Sequence, residues 1–429
     1  MKDFGGRTTE PELRRRLGTQ DAVMIGLSAM IGAGLFSAFT PAAAAAGSWL
    51  LVSLFIAAAL AYANARSTAQ LAARYPTSGG TYAYGREVLG PWPGFIAGWG
   101  FVVGKTASAA AMALTFATYV APEAWVKPVA VAAVALLVCV NYVGISRTAA
   151  AAKIIVAAVL GLLAVVLIVI SVDGQGMRES GPGMDPGVVG ILQGAGLLFF
   201  AFAGYARLAT LGEEVRDPQR TIPRAIGLSL GLVVVLYAVV AVVMLNALGV
   251  EGIAAHDKPL AIALGQSWAV PLVQIAASLA SLGALLALIA GIGRTAMAMA
   301  REHDLPHTLA TIHPRFSTPH RAELVVGMVV VVLIVFFDLR TAIGFSSFGV
   351  LTYYLIANLA AVRQPADARL SPRWVGIAGA VGCTVLVATL PLTAVVGGLV
   401  MFAVGICYRL MRLSVAKRGQ HGGNASRKM

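Results

Sequence analysis

Negative charge and cysteine are both scarce in this chain. Its 429 residues hold 19 Asp and Glu against 32 Lys and Arg, and three cysteines; charged residues of either sign make up 12%. That is too little charge to cover a soluble domain, and 58% hydrophobic content rules out a disordered chain. Cys139, Cys383 and Cys407 all fall inside apolar runs, which excludes a disulfide framework or a thiolate metal cluster. No glycine-rich phosphate loop ending in Lys-Ser/Thr is present, so ATP drive is excluded and no cofactor is expected. His303, His307, His313 and His320 share a basic loop in which Pro306 and Pro314 disrupt the helical spacing of a metal pair, so no metal site is expected. Residues 1–20 lack the apolar core and cleavage site of a secretory signal, and the first hydrophobic helix is expected to direct insertion and stay.

What the chain has instead is apolar length. Mean hydropathy is +0.81, and runs able to cross about 30 Å of hydrocarbon at about 1.5 Å per residue recur throughout. They predict an all-α integral membrane protein with helices near 21–46, 49–73, 92–120, 128–143, 149–172, 187–212, 223–249, 268–299, 323–338, 342–362, 373–390 and 392–410, about twelve spans in all. The divide around Pro391 is the weakest of these. The basic stretch from Ser414 to Met429 is expected to be disordered.

Charge sets the orientation. With a cytoplasmic amino terminus, the external loops carry only Lys127, Arg178, Lys258 and Arg340, while the clusters at Arg14–Arg16, Arg216–Arg224, Arg301–Arg321, Arg363–Arg373 and Arg409–Lys428 share the other side. This predicts a multi-pass protein of the cytoplasmic membrane with both termini inside. The rule accounts for the net charge of +13, so no nucleic-acid partner is implied; anionic lipid headgroups are the milder partner.

Two spans are interrupted where hydrocarbon tolerates breaks poorly. Ile31-Gly32-Ala33-Gly34 sits inside the first, and Phe199-Phe-Ala-Phe-Ala-Gly-Tyr-Ala-Arg207 inside the sixth. Freed backbone groups at membrane depth need protein or a watery cavity around them, so paired breaks suggest a ligand site. Each break falls in the first helix of a block of five, and an odd block inserts the second copy upside down. The expected organisation is an amino-terminal cytoplasmic segment (1–20), inverted repeat one (21–172), inverted repeat two (187–362), two peripheral helices (373–411) and a basic tail (412–429). Discontinuous helices one and six would offer amides to an anionic group and carbonyls to a cationic one, which suits an amino acid.

Four segments in order, Gly26-Leu-Ser-Ala-Met-Ile-Gly-Ala-Gly-Leu-Phe36, Arg74-Tyr-Pro-Thr-Ser-Gly-Gly-Thr-Tyr-Ala-Tyr84, the sixth-span segment with Asp217-Pro-Gln-Arg-Thr-Ile-Pro223, and Arg294-Thr-Ala-Met-Ala-Met-Ala-Arg-Glu-His-Asp-Leu-Pro306, resemble the amino acid–polyamine–organocation permease superfamily. Each motif is weak alone; the ordered set covers both repeats. The resemblance implies a secondary active transporter of amino acids or related amines, not an enzyme, with ten core helices, two peripheral ones and alternating access. It places the substrate carboxylate at the amides of Gly32, Ala33 and Gly34 with Ser28 or Met30 nearby. The substrate amine would meet carbonyls of Phe199, Ala201 and Phe202 beside Gly204, and Phe200 or Phe202 would serve as an aromatic gate. Close packing is the plainer alternative for the glycines, as are core or lipid-facing positions for the phenylalanines.

Some relatives that carry cationic amines have an acid where this chain has Ala206, which favours a small neutral amino acid over a cationic one. Arg207 either snorkels toward headgroups or pairs with Glu213 or Glu214 as a gate. Lys105 lies mid-span, where an ammonium needs a polar interior, and a lysine there could exchange its proton during transport. Certain proton-coupled members use a fifth-span lysine; here Lys153 falls earlier than expected. Ser281, with Ser278, is the candidate for a sodium site, packing being the alternative. The reading is proton-coupled or exchange transport, with sodium as a lesser choice. The alternatives are transport of a polyamine, cationic amine or amino-acid derivative, and a membrane sensor or partner subunit that binds without transport.

Overall fold

A computed structural model describes residues 17–75, 79–143, 149–173, 186–211, 214–316 and 318–425. The first helices are α1 (Thr19–Met30), α2 (Ala33–Ser37) and α3 (Phe39–Ala46), then α4 (Leu50–Arg74), α5 (Gly80–Leu89), α6 (Pro91–Val120), α7 (Val126–Tyr142) and α8 (Ala149–Asp173). There follow α9 (Gly187–Phe202), α10 (Ala206–Ala209), α11 (Pro218–Ala255), α12 (Pro259–Ala263) and α13 (Val270–Arg301). The chain closes with α14 (His320–Phe336), α15 (Leu339–Arg363), α16 (Arg373–Thr389) and α17 (Leu392–Ala425).

Ten stretches among the described residues are long and apolar enough to cross a bilayer. Gly47, at φ 52°, reverses the chain after α3, so α1 to α3 form one broken span and α4 the next. Adding α14 and α16, 17 residues each, gives the twelve spans expected, with a clean divide at Pro391. Phe55, Ile154, Val172, Phe336, Trp374 and Leu392 are exposed around the periphery, as suits side chains facing lipid. After Ser414, α17 continues as helix to Ala425, and the rest of the basic stretch lies outside the described residues.

The ends of the helices sort into two faces. Leu17 bridges Val215, Gln70 bonds Gln364, and Arg86 and Arg409 meet at Asp304, so both described ends of the chain share one face, called here the terminal face. The opposite face carries Thr40 bonded to the His256 carbonyl, Lys127 to that of Val335, and the Arg340–Asp257 pair.

The most buried span is α6, which packs on α13 and α15. Small residues let the backbones touch: a side chain begun at Gly100 would lie 2.9 Å from the Gly349 carbonyl oxygen, and one at Gly104 3.0 Å from the Gly349 Cα. At the terminal face Asp304 accepts from Tyr82 (2.9 Å) and Arg86 (2.9 Å) and forms an ion pair with Arg409 at 3.2 Å. The Arg409 guanidinium also lies 4.7 Å from the Trp92 ring centre and 4.6 Å from that of Phe95. This cluster clamps α17 onto α5, α6 and the turn after α13.

Candidate functional site

The first break is a full interruption. Ile31 (φ −78°, ψ 82°) and Gly32 (φ −143°, ψ −144°) leave the helical region between α1 and α2. The Gly32 amide turns back to Met30 O at 2.9 Å and Leu35 N bonds Gly32 O at 3.2 Å; neither Ala33 N nor Gly34 N reaches a carbonyl across the gap. Of the three amides singled out in the sequence, that of Gly32 is thus bonded, while those of Ala33 and Gly34 have no backbone partner. Gly34 is pressed against the backbone of Ala201, and Gly204 against the Ala29–Met30 peptide, so the broken helices cross with no room for side chains.

The second break is milder than expected. α9 tightens into a 3-10 turn over Ala203–Tyr205 and resumes as α10 without leaving right-handed geometry. The tightening still frees carbonyls. Ala203 O accepts from Lys105 Nζ at 3.0 Å and from the Tyr354 hydroxyl at 3.4 Å, while Tyr237 donates to Met30 O at 2.7 Å and Ala201 O at 3.1 Å. Tyr237 thus ties one break to the other.

A cavity lies on the terminal-face side of this crossing. Its walls include Ala29, Phe101, Lys105, Gly204, Ala206, Arg207, Thr210 and Gly291, from α1, α6, the broken sixth span and α13. The opposite side is packed shut: the Tyr119 hydroxyl donates to Phe36 O at 3.2 Å, Ser37 and Thr115 hydroxyls lie 2.9 Å apart, and Phe36 meets Tyr119 edge-on.

Of the residues singled out in the sequence, Lys105, Gly204, Ala206 and Arg207 border the cavity. Gly32, Ala33 and Gly34 are buried just beyond it, and Ser28 is half-buried on α1. Phe199 packs edge-on against Tyr354 and Phe202 lies 5.0 Å from Tyr237; with Phe200 and Ala201 they are buried around the break and do not line the cavity. Lys153 pairs with Asp21 at 2.7 Å, joining α8 to the start of α1. Ser281 is fully buried with its hydroxyl unpartnered, and Ser278 bonds its own helix at Gln274 O.

Of the alternatives for Arg207, pairing with Glu214 is not what the described residues show. Glu214 pairs with Arg294 at 2.7 Å, while Arg207 donates to the Thr210 hydroxyl at 2.9 Å; Glu213 lies outside the described residues. The carboxylate meets α13 because the chain turns after α10 to form the Leu17–Val215 bridge. Sequence reasoning missed Tyr237, Thr210, Arg294 and the buried Asn64–Asn358 pair (2.6 Å). Only the two asparagines, polar residues inside apolar runs, carried a signal that could have found them.

The match to known proteins follows the same geometry. The amino acid permease family model aligns with residues 17–412, from the bridge that opens α1 to the arginine that closes the α17 clamp. The chain belongs to the amino acid permease family. An uncharacterized transporter of Mycobacterium tuberculosis is 54% identical over 420 residues, covering 96% of this chain and 95% of the relative. The branched-chain amino acid permease of Bacillus subtilis is 27% identical over 381 residues, 82% of this chain and 81% of the relative. Cationic amino acid transporter 7 of Arabidopsis thaliana is 29% identical over 399 residues, 85% of this chain and 68% of the relative. This permease is therefore a multi-pass membrane transporter and not an enzyme.

Proposed function

We propose that this permease moves a small amino acid without a cationic side chain across the cytoplasmic membrane by alternating access, coupled to protons or by exchange, with both termini in the cytoplasm. The observation that carries the reading is the Lys105–Ala203 bond at the edge of a cavity between two broken helices. A protonated lysine holds the 3-10 turn of the sixth span; once neutral, it loses the charge-assisted part of that bond. Proton release is thereby linked to movement of the helix that closes the cavity, and the breaks of the two blocks of five are the moving parts.

The relatives include a branched-chain permease and cationic transporters by name. A cationic side chain would enter a cavity already bordered by Lys105 and Arg207, with no acid among its lining residues. Like charges at low dielectric repel, which favours the non-cationic choice. The positive-inside distribution supports a cytoplasmic terminal face, with the cavity reached from that side.

Uptake of radiolabelled amino acids into proteoliposomes, with and without an imposed pH gradient, tests this reading. Wild type should accumulate its substrate more steeply under an inward proton gradient. Lys105→Gln keeps a donor for Ala203 O but cannot titrate; it should exchange substrate yet show no response to the gradient. An unchanged gradient response in Lys105→Gln would falsify the coupling role.

A further inference from the structure

Among the described residues, Arg207 has no carboxylate partner. Its one hydrogen bond is Nη1 to the Thr210 hydroxyl at 2.9 Å, and the nearby Glu214 is held by Arg294 at 2.7 Å. The residue is half-buried on the cavity wall, and Lys105 borders the same space with its ammonium on Ala203 O. The other walls are apolar or small: Phe101, Met112, Ala284 and Leu288. A cavity with two cationic side chains and no lining acid lacks negative charge. A guanidinium offers five donors in a planar fork that fits a carboxylate, and most of those donors here have no protein partner.

Building on the permease reading, we infer that the cargo is an acidic amino acid, with its side-chain carboxylate received by Arg207 and Thr210. The α-amino and α-carboxyl groups would remain with the backbone at the two breaks, as for any amino acid. The side-chain carboxylate supplies the anion that Arg207 lacks and sits in the positive potential of Lys105. This goes one step past the neutral side chain suggested by Ala206. The absent acid at that position excludes a cation, while Arg207, one residue on, selects an anion.

The test is a competition between isosteres. Binding of aspartate, glutamate, asparagine, glutamine, leucine and arginine to purified protein in nanodiscs is measured by calorimetry, on wild type, Arg207→Gln and Thr210→Val. An acid and its amide have nearly the same size, so their affinity ratio reports on the carboxylate alone. Wild type should prefer aspartate or glutamate over the matching amide by at least about tenfold, in line with charge-assisted bidentate recognition. In Arg207→Gln the ratio should fall toward one, and in Thr210→Val it should fall partway. Amides or leucine binding as tightly as the acids in wild type would overturn this inference and leave the permease reading standing. No binding by any of the six would remove both. If Arg207→Gln does not fold, the wild-type ratio alone decides.

Discussion

At the scale of single residues, glycines separate packing from binding. Gly34 and Gly204 sit where α2 touches Ala201 and the sixth-span turn touches Ala29, while Gly291 on the cavity wall has no heavy atom within 4 Å of a built Cβ. Adding one methyl group therefore has opposite consequences. Gly204→Ala should destabilise the protein by about 1–3 kcal/mol through backbone overlap, seen as a lower Tm in detergent. Gly291→Ala should leave the Tm unchanged or slightly raised, since alanine is the better helix former, and act on substrate affinity alone by narrowing the cavity. Equal Tm losses in both variants would contradict the packing described. The glycine motifs were legible in the sequence as breaks, but which glycine is crowded depends on a neighbour nearly two hundred residues away, and no local pattern encodes that.

At the scale of elements, three contacts join α1, α8, α13 and the segment after α10 at the terminal face. Asp21 of α1 pairs with Lys153 of α8, Leu17 bridges Val215, and Glu214 pairs with Arg294 of α13. Both ion pairs are partly exposed, so each is worth about 0–1 kcal/mol. Together they are large enough to bias two conformations of similar energy. Removing both, as Asp21→Asn with Glu214→Gln, should favour opening toward the terminal face by up to about tenfold. The labelling rate of a cysteine placed at Gly291, in a background lacking native cysteines, measures this. Slower labelling in the double variant would mean that the pairs hold the open state instead. Charge runs in the sequence announced a crowded terminal face, but partner choice there is tertiary: among the described residues, helix placement gives the Glu214 carboxylate to Arg294 and not to Arg207.

At the scale of the whole molecule, the two faces differ in what they hold. The terminal face carries the Asp304 clamp, the Leu17–Val215 bridge and both described chain ends; the opposite face carries sparse contacts such as Arg340–Asp257. Cysteines introduced beside Arg220 and Arg315 should react with an impermeant reagent only from the cytoplasm, and one beside Lys258 only from outside. Reaction of all three from one side would overturn the span order. Asp304 gathers Tyr82 and Arg86 of α5 and Arg409 of α17, so α17 belongs to the folded body at least as far as Arg412, which bonds Leu305 O.

The amino-acid sequence alone determined that this is a polytopic helical protein, roughly where its apolar helices lie, and which two of them are interrupted. Hydrophobic length, arginine asymmetry and glycine placement are local properties that a bilayer reads directly. Tertiary structure alone decided the character of the second break, a 3-10 turn and not an unwound segment, because Lys105, Tyr354 and Tyr237 satisfy its carbonyls in place. It likewise decided which cations border the cavity without a carboxylate among the described residues. Charges separated in sequence find partners only when the helices dock, and in this chain docking pairs Lys153 with Asp21 and Arg294 with Glu214 and leaves Arg207 facing the cavity.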